Sequence, residues 1–176
     1  MSISDADLVK KVLQGDQNAF GQLYDKYARL VRAICYDTTG DVTQAQDLGQ
    51  EVFLRAYNKL EVLQDHDRFS PWLVSMARNV CREFRRSKFR DKHVLMGFDT
   101  PEETTEYETV SQHDISDEVH DAMMQLDEDE RMALHVYYLQ GNDPKKAQEI
   151  LGISRSSFYR LLEKARENLH KLLTEE

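Results

Sequence analysis

The chain has 176 residues, of which 40% are hydrophobic and 31% are charged, and its formal net charge is −9. This length suits one ordinary domain or two small ones, and the hydrophobic fraction excludes a wholly disordered chain. No apolar run approaches the ~20 residues of a membrane span and the polar N-terminus is unlike a secretory signal, so we expect no membrane insertion and a cytoplasmic location.

The charge is strongly segregated along the chain. Residues 93–130 carry thirteen carboxylates and neither Lys nor Arg. Residues 68–92 before them hold eight Lys or Arg against two acids, and residues 131–173 after them hold eight against four. Because phosphate attraction depends on local charge, two basic blocks joined by an acidic segment suggest two nucleic-acid-facing modules. The alternative at this point is that the charges are simply solvated helix faces.

Four helices are predicted before residue 93. A capping-box spacing at Ser4 to Asp7 opens a short helix, and apolar residues at steps of three and four predict the next from Phe20 to Ile34. A third helix follows the turn at Gly40 and runs to about Leu60. The fourth is predicted to start at Ser70-Pro71, as a capping serine followed by proline, and to bury Trp72 in its apolar stripe.

The second half contains a helix-turn-helix pattern. Asp143-Pro144 predicts the start of a short helix, Gly152 suits the left-handed residue after it, and Ser154 can cap the helix that follows. Such an arrangement inserts the first turns of the second helix into the major groove. The residues predicted to meet DNA there are Arg155, Ser156, Ser157, Tyr159 and Arg160. A plain helical hairpin that packs on a partner protein is the alternative.

We therefore predict an all-α fold with two small helical domains. A four-helix N-terminal domain spans residues 1–94, and a helix-turn-helix C-terminal domain spans residues 117–176. Residues 95–116 lack apolar periodicity and are predicted to form a flexible acidic linker. Cys35 and Cys81 fall in apolar helical patterns and are expected to be reduced core thiols.

The order of motifs resembles the bacterial extracytoplasmic-function sigma factors, the small two-domain class, over nearly the whole chain. The resemblance is carried by Gly15 to Phe20, by Asp47 to Phe53 with Ala56-Tyr57, by Phe69 with Trp72-Leu73 and Ala77 to Asn79, and by Leu151 to Ser154 with Ala165-Arg166. Each motif alone is loose, whereas four in order at the expected separations are a specific signal.

The resemblance implies a transcription factor that binds core RNA polymerase and directs promoter-specific initiation. The outward row of the third helix would dock on the clamp of the largest polymerase subunit: Asp47, Gln50, Glu51, Leu54, Arg55 and Asn58. The fourth helix would read and melt the minus-ten promoter element through Arg78, Asn79, Arg82, Arg85 and Arg86. The helix-turn-helix would read the duplex minus-thirty-five element, and an anti-sigma factor is a candidate further partner.

The chain departs from the family pattern at three places. It has Ala147-Gln148 where relatives usually show Ile-Ala, Tyr159-Arg160-Leu161 in place of a basic–Ser–Arg run, and Glu83 in place of Asp. The minus-thirty-five sequence of relatives therefore does not carry over to this chain.

Three other classes of protein are alternatives. A helical adaptor that does not bind DNA is disfavoured by the two basic faces. A stand-alone helix-turn-helix regulator would bind duplex DNA without polymerase, but it gives no role to the basic block at residues 68–92. An enzyme is disfavoured because His93, His113 and His120 form no metal-ligand spacing and no nucleophile or phosphate-loop motif occurs. We expect no cofactor, no metal and no catalytic residue.

Overall fold

The computed structural model describes residues 3–95 and 115–174 and confirms the all-α class. The helices of these residues are α1 (Asp5–Leu13), α2 (Gln17–Thr39), α3 (Val42–Asn58), α4 (Phe69–Leu95), α5 (Ile115–Gln125), α6 (Glu128–Leu139), α7 (Pro144–Leu151) and α8 (Arg155–Thr174). Two 3-10 turns, Leu60–Val62 and His66–Arg68, connect α3 to α4. Most of the predicted acidic linker, residues 96–114, lies outside the described residues. No described helix is long and apolar enough to cross a membrane.

The N-terminal helices begin and end where short polar residues satisfy the free backbone groups. Asp16 caps α2 by accepting the Asn18 and Ala19 N–H groups, and Asp41 caps α3 by accepting the Gln44 N–H at 2.7 Å. Gly40 lies between them with φ of 63° and donates its N–H to the Tyr36 carbonyl. This left-handed residue lets α2 end and α3 start within two residues.

Helix α2 is at the centre of the N-terminal half. It packs against α1, α3 and α4, and its fully buried face includes Leu23, Leu30 and Val31. The buried Tyr27 hydroxyl donates to the Asp5 carboxylate of α1, and burial together with that carboxylate raises the pKa of Tyr27. Cys35 and Cys81 are free, buried thiols at a sulfur–sulfur distance of 4.0 Å between α2 and α4.

The predicted start of α4, with Ser70 as the cap and Pro71 as the first helical residue, is wrong by two residues and in its mechanism. The helix begins at Phe69 and continues from the 3-10 turn His66–Arg68, in which Asp65 accepts the Asp67 N–H at 3.2 Å. Ser70 is buried inside the first turn and does not act as the cap. Phe69 is fully buried against Tyr27, and this contact fixes the position of the first residue of α4. The helix therefore continues directly from the preceding 3-10 turn.

The predicted helix caps and the left-handed glycine of the helix-turn-helix are confirmed. Asp143 accepts the Lys145 and Lys146 N–H groups before Pro144, Gly152 has φ of 67°, and Ser154 Oγ accepts the Ser157 N–H at 3.2 Å. Phe158 is fully buried in the core that α8 shares with α6 and α7. The departure at Gln148 leaves this turn intact.

Two observations show how the turn accommodates Gln148. Ala147 is the fully buried member of the pair, whereas Gln148 is only half-buried. The Gln148 carbonyl accepts the Gly152 N–H at 2.8 Å, so the turn closes through the backbone.

A buried carboxylate joins α6 to α8. Glu130 is almost fully buried, yet its oxygens accept hydrogen bonds from Asn168 Nδ2 at 3.1 Å and Lys164 Nζ at 2.7 Å. Burial opposes ionisation of this carboxyl, but the Lys164 and Asn168 contacts outweigh it and lower the pKa of Glu130. Its stabilising contribution is therefore present at neutral pH and lost as the pH falls through that lowered pKa.

We expect Glu130→Ala to reduce the free energy of unfolding by about 2 kcal/mol at neutral pH, because it removes a charge-assisted hydrogen-bond acceptor from a buried position. Chemical denaturation measures the difference. The exposed Glu167→Ala on α8 is the matched control, with an expected change within about 0.5 kcal/mol. The difference in the free energy of unfolding between the two variants should decrease as the pH falls. A difference that does not depend on pH would contradict the ionised state of Glu130.

Candidate polymerase and nucleic-acid interfaces

The six residues predicted for polymerase docking lie on one outward side of α3. Asp47, Gln50, Leu54 and Asn58 are exposed, and Leu54 leaves 56% of its surface open to solvent. We call this set, with Glu51 and Arg55, the docking face. An exposed leucine among charged and amide groups provides an apolar anchor with a polar rim, as protein–protein interfaces do.

Arg55 within the docking face is engaged inside the molecule. Its Nε contacts Glu51 Oε1 at 2.5 Å, and its Nη1 contacts Glu83 Oε2 of α4 at 2.6 Å. These two carboxylates, Glu83 first, raise the pKa of Arg55. Arg55 therefore ties the docking face to α4. The sequence alone did not predict this contact, since 28 residues separate its partners.

An open groove adjoins the docking face on the α4 side. It has a volume of about 910 Å³ and is lined by Leu48 and Glu51 of α3 and by Phe84, Phe89 and Arg90 of α4, among others. Apolar walls with charged edges of this kind fit a partner helix. The sequence pattern of α4 predicted DNA contacts and did not indicate the groove, because only the packing of α3 against α4 creates it.

The predicted minus-ten residues are all on α4, but they are not equally accessible. Asn79, Arg82, Arg85 and Arg86 are exposed. Arg78 is only half-exposed because its guanidinium lies against two carboxylates of α6, Glu128 and Asp129. The structure thus separates Arg78 from the four residues that face solvent.

A cleft of about 340 Å³ lies beside Asn79. Trp72 and Met76 form its apolar part, and Arg82 and Arg86 are among the cations that line it. The predicted burial of Trp72 is wrong in part: the ring packs against Phe69 at 6.0 Å between centroids but remains half-exposed on the cleft side. An aromatic wall, an amide and nearby cations suit a flat, hydrogen-bonding base attached to phosphates.

The predicted minus-thirty-five residues lie on the first two turns of α8. Arg155, Ser156, Tyr159 and Arg160 are exposed, with the Arg155 guanidinium 5.7 Å from the Tyr159 ring centroid. Ser157 is half-buried and its hydroxyl accepts from the capping Ser154 Oγ at 2.9 Å. Ser157 therefore helps to hold the start of the helix, and the other four residues form the accessible surface.

The fold and these surfaces define a helical nucleic-acid-binding protein in which a helix-turn-helix accompanies a second basic helix. Within the described residues, no group of three or more His, Cys, Asp or Glu side chains is placed to hold a metal ion.

Comparison with known proteins gives the family. Residues 23–90 match the model for Sigma-70 region 2. The ECF RNA polymerase sigma factor SigM of Bacillus subtilis is 31% identical over 154 residues, covering 86% of this chain and 93% of SigM. SigW of the same bacterium, described in the same terms, is 27% identical over 176 residues and covers 94% of each chain. The chain belongs to the extracytoplasmic-function (ECF) RNA polymerase sigma factors.

A solved structure supports the fold. The sigma factor RpoE of Bartonella quintana, in complex with the anti-sigma factor NepR, aligns with a TM-score of 0.60 over 88% of this chain and 96% of RpoE at 21% identity. The family consists of factors that direct transcription by RNA polymerase, and at this family level the protein is a regulator without catalysis of its own.

The Arg55 bridge predicts energetic coupling between α3 and α4. In a double-mutant cycle of Arg55→Ala and Glu83→Gln, we expect a coupling of about 0.5 kcal/mol in the free energy of unfolding, since the pair is partly exposed and screened by solvent. Denaturation of the four proteins measures it. The control cycle pairs Glu83→Gln with Arg82→Ala, an exposed arginine next to Glu83 in sequence, and should give a coupling near zero. Equal coupling in both cycles would contradict a specific bridge.

Proposed function

We propose that this sigma factor docks on core RNA polymerase through the docking face and the adjoining groove, reads melted minus-ten DNA with α4, and reads duplex minus-thirty-five DNA with α8. The observation that carries the proposal is the separation of three accessible surfaces with different chemistry on α3, α4 and α8. Residues 1–94 would form the first module and residues 117–176 the second, with residues 95–116 as the tether.

The docking face and groove support polymerase binding on the α3 side. Leu54 offers an apolar anchor, and the groove next to it extends the apolar surface along Phe84. Charged residues around such an anchor set orientation and association rate more than affinity. By the family resemblance, this surface would meet the clamp of the largest subunit, a helical structure that would lie along α3.

The Asn79 cleft supports recognition of a melted base. Because duplex stacking hides the base faces, a protein that reads a base by stacking and amide contacts needs that base turned out of the helix. Trp72 gives a stacking wall, Asn79 offers both a donor and an acceptor, and Arg82 and Arg86 lie where the flanking phosphates would pass.

The start of α8 supports duplex reading. Arg155 and Arg160 can contact guanine edges or phosphates, and Ser156 can contact either. Since polymerase is the partner, the site of action would be the cytoplasm. RpoE was solved with an anti-sigma factor, and we extend the same class of partner to this chain.

We expect Leu54→Ala to weaken binding to core RNA polymerase about tenfold, because it removes the apolar anchor of the docking face. The dissociation constant is measured by the binding of purified protein to surface-immobilised core polymerase. Val62→Ala is the matched control, since Val62 is 74% exposed but lies in the 3-10 turn outside the docking face. Equal losses in the two variants would contradict the assignment of this face.

We expect Asn79→Ala to leave polymerase affinity unchanged and to abolish the preference for one base of the minus-ten element. The polymerase complex is used to select oligonucleotides from a random single-stranded pool, and the bound fraction is sequenced. The control is Gln22→Ala, an exposed amide on α2. An unchanged selected motif, or loss of polymerase binding by Asn79→Ala, would contradict the role of the cleft. Tight binding of the unmodified chain to duplex promoters without polymerase would favour a stand-alone regulator.

A further inference from the structure

The chain has two cysteines, Cys35 and Cys81, and the fold brings them together. Cys35 lies near the C-terminal end of α2, Cys81 lies near the middle of α4, 46 residues further along the chain, and both thiols are buried. Their sulfur atoms are 4.0 Å apart, and Cys81 Sγ lies 3.8 Å from the Ile34 carbonyl oxygen. The two thiols therefore face each other across the contact between α2 and α4.

The distance between the sulfurs is short enough for a disulfide to form. A disulfide holds its sulfurs about 2 Å apart, so the two side chains have to close a gap of only about 2 Å. A small rotation about the Cα–Cβ bond of each cysteine moves the sulfurs by that amount. Because the chain has no third cysteine, this is the one disulfide that can form within it.

Cys81 lies in surroundings that favour its thiolate. The hydrogen bond with Cys35, another with Thr38 and the positive charge of Arg85 lower the pKa of Cys81 to about 7, against the opposing effects of burial and Asp37. The same hydrogen bond, together with burial, raises the pKa of Cys35, so Cys81 is the first of the two thiols to ionise. Buried cysteines in wholly apolar surroundings lack such partners and are inert as nucleophiles.

The pair also lies close to the protein surface. Beside Cys81, Thr38 is half-buried and Arg85 is exposed. Cys35 belongs to the last turns of α2, and helix ends open locally more readily than the centre of a core. Hydrogen peroxide is little larger than water, so a local opening is enough to let it reach the thiols.

We propose that Cys35 and Cys81 form a redox-active pair that a peroxide converts into a reversible disulfide between α2 and α4. The Cys81 thiolate attacks one peroxide oxygen, the O–O bond breaks, and a sulfenic acid forms on Cys81 while the departing hydroxide takes up a proton and becomes water. The Cys35 sulfur then attacks the Cys81 sulfur, the S–O bond breaks, and the second hydroxide leaves as water with the Cys35 proton. The two thiols lose two electrons to the peroxide, and a dithiol reductant reverses the change.

The disulfide clamps the N-terminal helices together. It encloses residues 36–80, which include all of α3 and the first part of α4. A crosslink of this kind stabilises a fold mainly by restricting the unfolded chain, and the effect grows with the length of the enclosed segment. In a reducing compartment the two thiols are the resting state and the disulfide is the transient form. The inference uses no residue assigned to polymerase or DNA, so it stands or falls independently of the proposed function.

The test treats the purified full-length chain, at neutral pH and without denaturant, with a small excess of hydrogen peroxide. Free thiols are counted after the reaction is quenched and the chain unfolded, and we expect the count to fall from two to none. The intact mass should decrease by two hydrogen atoms, and dithiothreitol should restore both thiols. The oxidised chain should unfold in urea at a midpoint about 1 M higher than the reduced chain.

Two variants separate the roles of the sulfurs. In Cys35→Ala the Cys81 sulfenic acid has no thiol to react with, so we expect dimedone to trap it after peroxide treatment. Cys81→Ala should incorporate at least fivefold less dimedone, because the remaining Cys35 thiol resists ionisation. Urea unfolding of each reduced variant checks that it is folded, and peroxide should leave the midpoint of both variants unchanged.

The measurements on the unmodified chain decide the outcome even if a variant does not fold. Two thiols that survive peroxide and react only at urea concentrations that unfold the chain overturn the inference. Disulfide-linked dimers in place of the intramolecular product overturn it as well. Equal dimedone labelling of the two variants contradicts the role of Cys81 as the attacking thiolate.

Discussion

Helix α2 is the element on which both halves of the molecule depend. Its apolar face forms the N-terminal core with α1, α3 and α4, and this packing fixes how α3 and α4 lie side by side. Asp37, two residues before the end of the same helix, contacts Arg131 and His135 of α6. Consequently the docking face, the Asn79 cleft and the access to Arg78 are all set by the position of one helix.

Much of the fold follows from local rules that the sequence states directly. Apolar residues at helical spacing predicted α2 and α8, and Asp143, Gly152 and Ser154 predicted the punctuation of the helix-turn-helix, because caps and left-handed glycines act within three residues of their partners. The start of α4 was misplaced because Phe69 and the preceding 3-10 turn decide it through burial against Tyr27. A tertiary contact there overrides a valid local signal.

The candidate sites were predicted less completely, for a related reason. The rows on α3, α4 and α8 can be read from one helix at a time. Three features cannot be predicted from a single helix, because each depends on how two elements pack together. They are the Arg55–Glu83 bridge, the half-exposed Trp72, and the pairing of Arg78 with Glu128 and Asp129. The charge pattern along the sequence indicated acidic and basic segments. It did not predict that Glu128 and Asp129, at the start of α6, contact Arg78 of α4.

The central claim is that the chain gives core RNA polymerase a promoter specificity that the polymerase lacks by itself. The most direct measurement maps the 5′ ends of transcripts made by core polymerase on bacterial genomic DNA with and without the unmodified chain. The account predicts a new, restricted set of start sites that share two upstream elements at fixed spacing. An identical set of start sites in both reactions would contradict it.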